Sequence, residues 1–594
     1  MFSNLFLRLS ICFIDSPLLF GNCNKYNTAL IRVNYDNTYF TLFNKSPIKE
    51  QVTIENYKDR AVDANYILLW MVFAFSIFSL IQFVRLRRKG SLIWIIKNGF
   101  VFSITLVSLK LFPEQAGFIG GGFWFVLIFL PLSGIKIVNR LQLRQLFKAA
   151  RVMCLVLWVL HPDQSLKLNI IILNAKLLGK QGKREQAINY LEKYKQTHKL
   201  LHALTTIYSL ILSQKWQELV VWFKGIQMNT VLLSFYTRAL GEIGAVSELI
   251  RIPVVYRSLF EKENYFIKNT IRLHVFAFSG FYEEVELLLN GALSGLCKAQ
   301  KIYWRAVALQ ARGEKKLARS LFEPLKEHKN FLIKDAVLHR LQLPQHELIQ
   351  KKDPAVMELL EKTKDDFLKE ERFSLFKKVR RRRAVVTLSI IGINIIIFMG
   401  EELWGGSKNE MTLYEMGALY TLGFVFSDVW RIITAQFLHY GVLHLVMNML
   451  GLYILGPYVE LFLGHIRYAL VYILSGVGAF ACYLLVAGLY GTYDFLVGAS
   501  ACIMGVIGAL FAILMNGFFR YKIKIVKSQL LILGFFIGMQ SLFDITTPEV
   551  SFLGHFFGLV FGFLITWILM LMSHREVQKQ TVKKLSHKTH KKTM

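Results

Sequence analysis

Nine stretches of the chain are apolar over close to the ~20 residues that a helix needs to span a bilayer. No other feature narrows the fold so far. Hydrocarbon offers no hydrogen-bond partners, so a run of that length satisfies its own backbone by becoming a helix. Three runs come early, at about residues 66–84, 92–112 and 118–135. Lys97 and Lys110 lie toward the ends of the second, where their charges are expected to snorkel to the headgroups. Six more follow a long polar stretch, at about 384–399, 433–455, 468–489, 496–516, 526–543 and 552–572. A hydrophobic share of 54% and a mean hydropathy of +0.40 agree with a polytopic all-α membrane protein carrying a large polar insert.

A net charge of +31 over 594 residues raises the question of nucleic acid, but its placement answers for the membrane. Much of it flanks apolar runs, at residues 85–89, at 377–383 and in the tail 573–594. That is the pattern of cytoplasmic loops and of attraction to anionic lipid. No nucleic-acid partner is expected. Six crossings leave residues 375–383 and the tail on one side, which the charge rule makes cytoplasmic. Three earlier crossings then put residues 1–62 outside and the polar insert inside. Within 1–62, alternation at 29–43 suggests short strands. The apolar residues of 5–20 are broken by Arg8, Asp15 and Pro17, a poor signal peptide. With no organelle-targeting segment evident, a bacterial plasma membrane is expected, with the C-terminus cytoplasmic. The six cysteines form no CxxC pair, so neither a metal site nor a disulfide framework is indicated.

The insert, about 139–374, reads as helical and soluble, and it repeats. Ala175, Leu178, Gly182, Ala187 and Leu191 recur in type as Ala306, Leu309, Gly313, Ala318 and Phe322. A weaker copy is Leu273, Phe276, Gly280, Val285 and Leu289, with Gly244 and the region of Lys215 near the intervening intervals. The period approaches that of tetratricopeptide repeats, which the segment resembles. The resemblance implies an α-solenoid with a groove for a soluble protein partner. An unrelated helical bundle is the other reading of the same pattern.

A serine inside an apolar run is ordinarily unremarkable, because its hydroxyl can bond back to a carbonyl one turn earlier. Ser500, in Val-Gly-Ala-Ser-Ala-Cys-Ile-Met-Gly (497–505), has unusual company. Upstream lie His439, His444 and Asn448, and downstream lies Gly-His-Phe-Phe-Gly (554–558). Ionisable side chains within spans are costly and tend to mark function. A serine hydroxyl is a feeble nucleophile without a neighbouring base, and histidine titrates near neutrality. His444 and Asn448, four apart, share a helix face.

Five motifs in order give residues 384–572 a resemblance to the six-span core of rhomboid intramembrane serine proteases. They are Trp430-Arg431, the His439-x4-His444-x3-Asn448 spacing, Gly456-x3-Glu460-x3-Gly464, Gly498-x-Ser500-x4-Gly505, and Gly554-His555-x2-Gly558-x3-Gly562. The resemblance implies a Ser–His dyad with Ser500 as nucleophile and His555 as general base. It implies an oxyanion hole from His444, Asn448 and the Ser500 backbone N–H. No carboxylate stands near the base in the motif. His439, Arg431 and Glu460 are expected to brace loops, and the glycines to let two helices approach. Ala501 stands where many relatives have glycine, and Met504 where an aromatic residue often supports the histidine. No metal, nucleotide or organic cofactor is called for.

The expected organisation is therefore an extracytoplasmic segment 1–62, three spans within 63–138, the repeat domain 139–374, a basic linker 375–383, the six-span domain 384–572 and the tail 573–594. The expected function is cleavage of transmembrane segments of other membrane proteins. The rival is a non-proteolytic relative that binds membrane clients, with the repeats as scaffold. A transporter is a distant third, lacking the broken-helix pattern.

Overall fold

The computed structural model describes residues 64–86, 91–194, 199–262, 265–328, 330–342, 353–373, 384–421, 423–491, 494–547 and 550–590. The strands expected at 29–43 and the basic linker 375–383 lie outside the described residues. The described residues are all-α apart from one two-stranded ladder. Among the described residues nine helices are long and apolar enough to cross a membrane, and the protein is an integral multi-pass membrane protein.

The first three are α1 (Ala64–Leu86), α2 (Ser91–Leu111) and α3 (Pro113–Leu143). A π turn at Phe125–Phe129 interrupts α3, and its 31 residues exceed what a bilayer needs. Lys97 does not snorkel outward as expected. Its Nζ turns onto backbone carbonyls of Leu160 at 2.7 Å and Leu127 at 3.5 Å. An apolar helix, α4 (Phe147–Leu160), doubles back along α3, where Gly134 leaves room for Leu157.

Five helical hairpins follow, with first helices α5 (Gln164–Lys180), α7 (Lys199–Leu212), α9 (Thr230–Glu242), α12 (Tyr265–Ser279) and α14 (Lys298–Arg312). Their second helices are α6 (Arg184–Glu192), α8 (Trp216–Lys224), α10 (Val246–Val255), α13 (Tyr282–Asn290) and α15 (Lys315–Phe322), with α11 (Arg257–Lys262) between the third and fourth pairs. Each pair turns at a residue with positive φ: Gly182, Gln214, Gly244, Gly280 and Gly313. That backbone suits glycine, which is why four of the five turns were visible in the sequence. Ala187, Leu191, Phe276, Val285, Ala306, Ala318 and Phe322 are buried, so the repeating positions are core positions. Next come α16 (Phe331–Gln342) and α17 (Pro354–Phe373). Glu370 on α17 pairs with Lys268 (2.5 Å) and Arg272 (2.8 Å) on α12. Phe373 packs on Phe462 and Tyr521, beside Gly517.

The last six spans are α18 (Val385–Trp404), α21 (Gly441–Leu463), α22 (His465–Tyr490), α23 (Ser500–Phe519), α24 (Lys524–Thr546) and α25 (Phe552–His590). Between the first two lie the short helices α19 (Glu410–Glu415) and α20 (Arg431–Thr434). The second span begins at Gly441 instead of 433, since Gly441 has φ +83° and residues 435–437 form a 3-10 turn. The fourth begins at Ser500 instead of 496. Phe495–Leu496 there is strand β2, antiparallel to β1 (Leu419–Tyr420), and Gly498 has φ +119°. The helix of the sixth span continues to His590.

Candidate active site

Successive spans run in opposite directions, so the start of α21, the start of α23, the end of α24 and the start of α25 share one end of the molecule. Four chemistry-bearing segments meet there. Ser500 is the first residue of α23 and is half-buried. The first amides of a helix have no intrahelical acceptor, so the Ser500 N–H faces the space ahead of the helix as an available donor.

Gly498 fixes how closely α21 approaches. A Cβ there would lie 2.7 Å from His444 Cε1, 2.9 Å from its Nε2 and 3.7 Å from Asn448 Nδ2. Imidazole and amide thus converge on the backbone two residues before Ser500. Any side chain at 498 would displace them. Asn448 is buried, and its Nδ2 has no hydrogen-bond partner among the described residues. An unpaired buried amide donor is costly, and a site that receives a negative oxygen gives it a purpose.

The helix that carries His555 meets the helix that begins at Ser500 through contacts at glycine. A Cβ on Gly558 would stand 2.2 Å from the Ala501 carbonyl oxygen, and one on Gly562 would stand 1.9 Å from that of Gly505. Gly505 and Gly508 are closed the same way by Ser475 and by the Leu559 carbonyl. Hence α23 and α25 touch backbone to backbone. Ser551 immediately precedes α25, its Oγ accepting from the Gly554 N–H at 3.0 Å.

A carboxylate is present after all. His555 Nδ1 lies 2.9 Å from Asp544 Oδ2, and Gln540 Nε2 donates to Asp544 Oδ1 at 2.9 Å. Asp544 is buried near the end of α24. The expectation of a histidine without a carboxylate neighbour therefore changes. The partner comes from outside the motif, on the preceding span. It was findable, because Asp544 is an ionisable residue at the edge of an apolar run, the same signal that marked His555.

The remaining expected residues occupy bracing positions. Arg431 donates from Nη1 to the carbonyls of Tyr414 (2.5 Å) and Ala418 (3.2 Å) and pairs with Asp428. His439 is buried, its ring 5.2 Å from that of His444, and its backbone N–H donates to Glu401 at 3.1 Å. Glu460 sits at the opposite end of α21. It accepts from the N–H groups of Val386 and Thr387 at 2.9 Å each and is paired with His465. Ala501 and Met504 are buried.

Comparison with known proteins bears on this same region. A family model described as "Rhomboid domain" matches residues 427–572. "RHOMBOID-like protein 6, mitochondrial" of Arabidopsis thaliana is 35% identical over 164 residues, covering 27% of this chain and 51% of that protein. "Rhomboid protease GluP" of Bacillus subtilis is 30% identical over 178 residues, 30% of this chain and 33% of that one. "Putative rhomboid protease YdcA" of the same bacterium is 31% identical over 163 residues, 26% of this chain and 75% of that one. The chain spans about half or less of the length of the first of these curated relatives. No solved structure matches. The family model does not reach the helical hairpins upstream.

Proposed function

The chain belongs to the rhomboid family, and on that premise we propose that it is an intramembrane serine endopeptidase acting on transmembrane segments of other proteins. One observation carries the reading: the convergence of His444 and Asn448 on the backbone before Ser500, on a helix held against that of His555. Ser500 Oγ attacks the scissile carbonyl. His555 takes the proton through Nε2, because Nδ1 is committed to Asp544, and returns it to the leaving amine. The reactive pair is the expected Ser–His dyad, with Asp544 orienting the imidazole. Charge developing on the carbonyl oxygen is met by Asn448 Nδ2, His444 and the Ser500 N–H, donors that need no rearrangement at the moment of reaction. Water then hydrolyses the acyl-enzyme. A helical substrate shields its peptide bonds, so the cut segment must unwind locally, which favours small or helix-breaking residues.

Residues 384–572 form the protease domain in this reading. The basic flanks favour a cytoplasmic side for the tail and for the hairpins within 139–374, with the site near the outer boundary of the membrane. The membrane is read as a bacterial plasma membrane. The five hairpins are read as a degenerate tetratricopeptide array for a soluble protein partner. A cavity of about 370 Å³ lined in part by Trp216, Arg238 and Trp304 supports that.

The test is cleavage of a transmembrane reporter by the wild type, Ser500→Ala and His555→Ala, with fluorophosphonate labelling alongside. We expect either substitution to lower cleavage by at least ~10⁴-fold, and Ser500→Ala to abolish labelling. A wild type that neither cleaves nor labels would leave the client-binding reading in its place.

A further inference from the structure

Lys97 raises a question that the protease reading does not touch: why an ammonium should sit inside an apolar span. Its partner is the carbonyl of Leu160, the last residue of α4, which is too short to cross a membrane. Depth follows from the α2–α3 hairpin. Lys97 precedes Leu111, the end of α2, by as many residues as Leu127 follows Pro113, the start of α3. That is about 14, or ~21 Å of helix. A hydrocarbon core of ~30 Å then leaves Leu160 roughly 9 Å inside the boundary on the basic side.

At that depth a helix cannot end with bare carbonyls. Lys97 supplies a positive charge at the negative end of α4. His161 closes the turn, its ring tilted against that of Trp94 with centroids 4.2 Å apart, and its backbone N–H donates to the Leu157 carbonyl at 2.7 Å. His161 is thus buried in protein, the condition under which irregular backbone is tolerated in a membrane, while Pro162 beyond it is exposed and Asp163 half-buried.

The outer face of α4 completes the picture. Ala150, Cys154 and Leu157 are buried. Val152, Leu155, Val156 and Val159 recur at helical spacing on the other side and are 44–78% exposed. They continue the exposed apolar surface of α3 at Val126, Leu130 and Ile137. Lys148, at the start of α4, lies ~18 Å along the helix from Leu160, beyond the hydrocarbon and at headgroup level. We infer that α4 is a re-entrant helix whose C-terminal half is sunk in the cytoplasmic leaflet. Its apolar face is covered by acyl chains, Lys148 meets lipid phosphate, and Lys97 holds the submerged end. The hairpins that follow are thereby seated on the membrane.

The test uses the full chain, native cysteines replaced and monodisperse by gel filtration, in phosphatidylcholine–phosphatidylglycerol vesicles with brominated acyl chains. A bimane label at Val156→Cys or Val159→Cys should be quenched by the bromines and resist a membrane-impermeant thiol reagent. One at Lys148→Cys should do neither. Lys97→Met should raise the reaction rate at Val159→Cys several-fold. Unquenched labels that react freely at Val156 and Val159 would overturn the inference. So would protection without quenching that disappears on dilution into excess lipid, since a second copy of the chain would then be the cover. An unchanged Val159 in Lys97→Met would remove Lys97 from the account.

Discussion

Asp544 is where the geometry adds most to the chemistry. Imidazole has two nitrogens, and a base must present the right one. A carboxylate 2.9 Å from Nδ1 selects the tautomer with Nε2 free. Asp544→Asn preserves size but lets the amide donate to Nδ1, favouring the wrong tautomer. We expect kcat to fall by ~10²–10⁴, KM to stay within about twofold, and fluorophosphonate labelling to slow in step. A merely structural role for Asp544 would lower the thermal midpoint and leave kcat of the folded fraction intact. Ser500, His555, His444 and Asn448 were legible because each sits in a motif of fixed spacing. Asp544 sits in none, and its partnership with His555 exists only once α24 and α25 are side by side.

Among the elements, the helical hairpins show how a turn survives loss of its glycine. The turn between α7 and α8 uses Gln214 at φ +56° where the other hairpins use glycine. The backbone is held there by its neighbours, and the sequence signal is gone. The array also carries a buried titrating group. His274 on α12 is buried with its ring on Trp304, and its Nδ1 lies 2.9 Å from Thr237 Oγ1. Burial, with the Arg238 charge second, pushes its pKa down to about 3. The unfolded chain protonates this histidine below about pH 6.5 and the folded chain does not. Stability is therefore complete above that pH and declines as pH falls toward 3. Between pH 7 and 5 the loss from this group is about 2 kcal/mol. Urea midpoints at the two pH values should draw closer together in His274→Gln than in the wild type.

At the scale of the whole molecule, the three early spans are joined to the protease-like spans through aromatic packing. Phe75 and Phe78 on α1 meet Phe536 on α24 at 5.9 and 5.4 Å between ring centroids, and Phe78 also meets Phe535. Phe75, Phe78 and Phe536 belong to one buried cluster that includes Ile503, Met504 and Val506 beside the serine, and Phe535 packs against it. The helix that carries Asp544 is thus clamped between the early spans and the site. A double-mutant cycle of Phe78→Ala and Phe536→Ala, read from thermal unfolding in detergent, should give a coupling of about 1 kcal/mol. A coupling of zero would mean the early spans ride free.

What the sequence by itself determined was everything local: the helical spans, from the length of apolar runs, most hairpin turns, from glycine, and the His–Asn and Ser–Gly spacings, from one turn of a helix. Only the tertiary structure decided the rest. It paired Asp544 with His555, turned Lys97 inward onto Leu160, and delayed α23 until Ser500 by pairing β2 with β1. Each of these is a contact between different elements, one of them only eleven residues apart in the chain, and is set by which elements pack together. Periodicity and spacing describe one helix at a time, and so they carry no record of the neighbour that a buried charge will find.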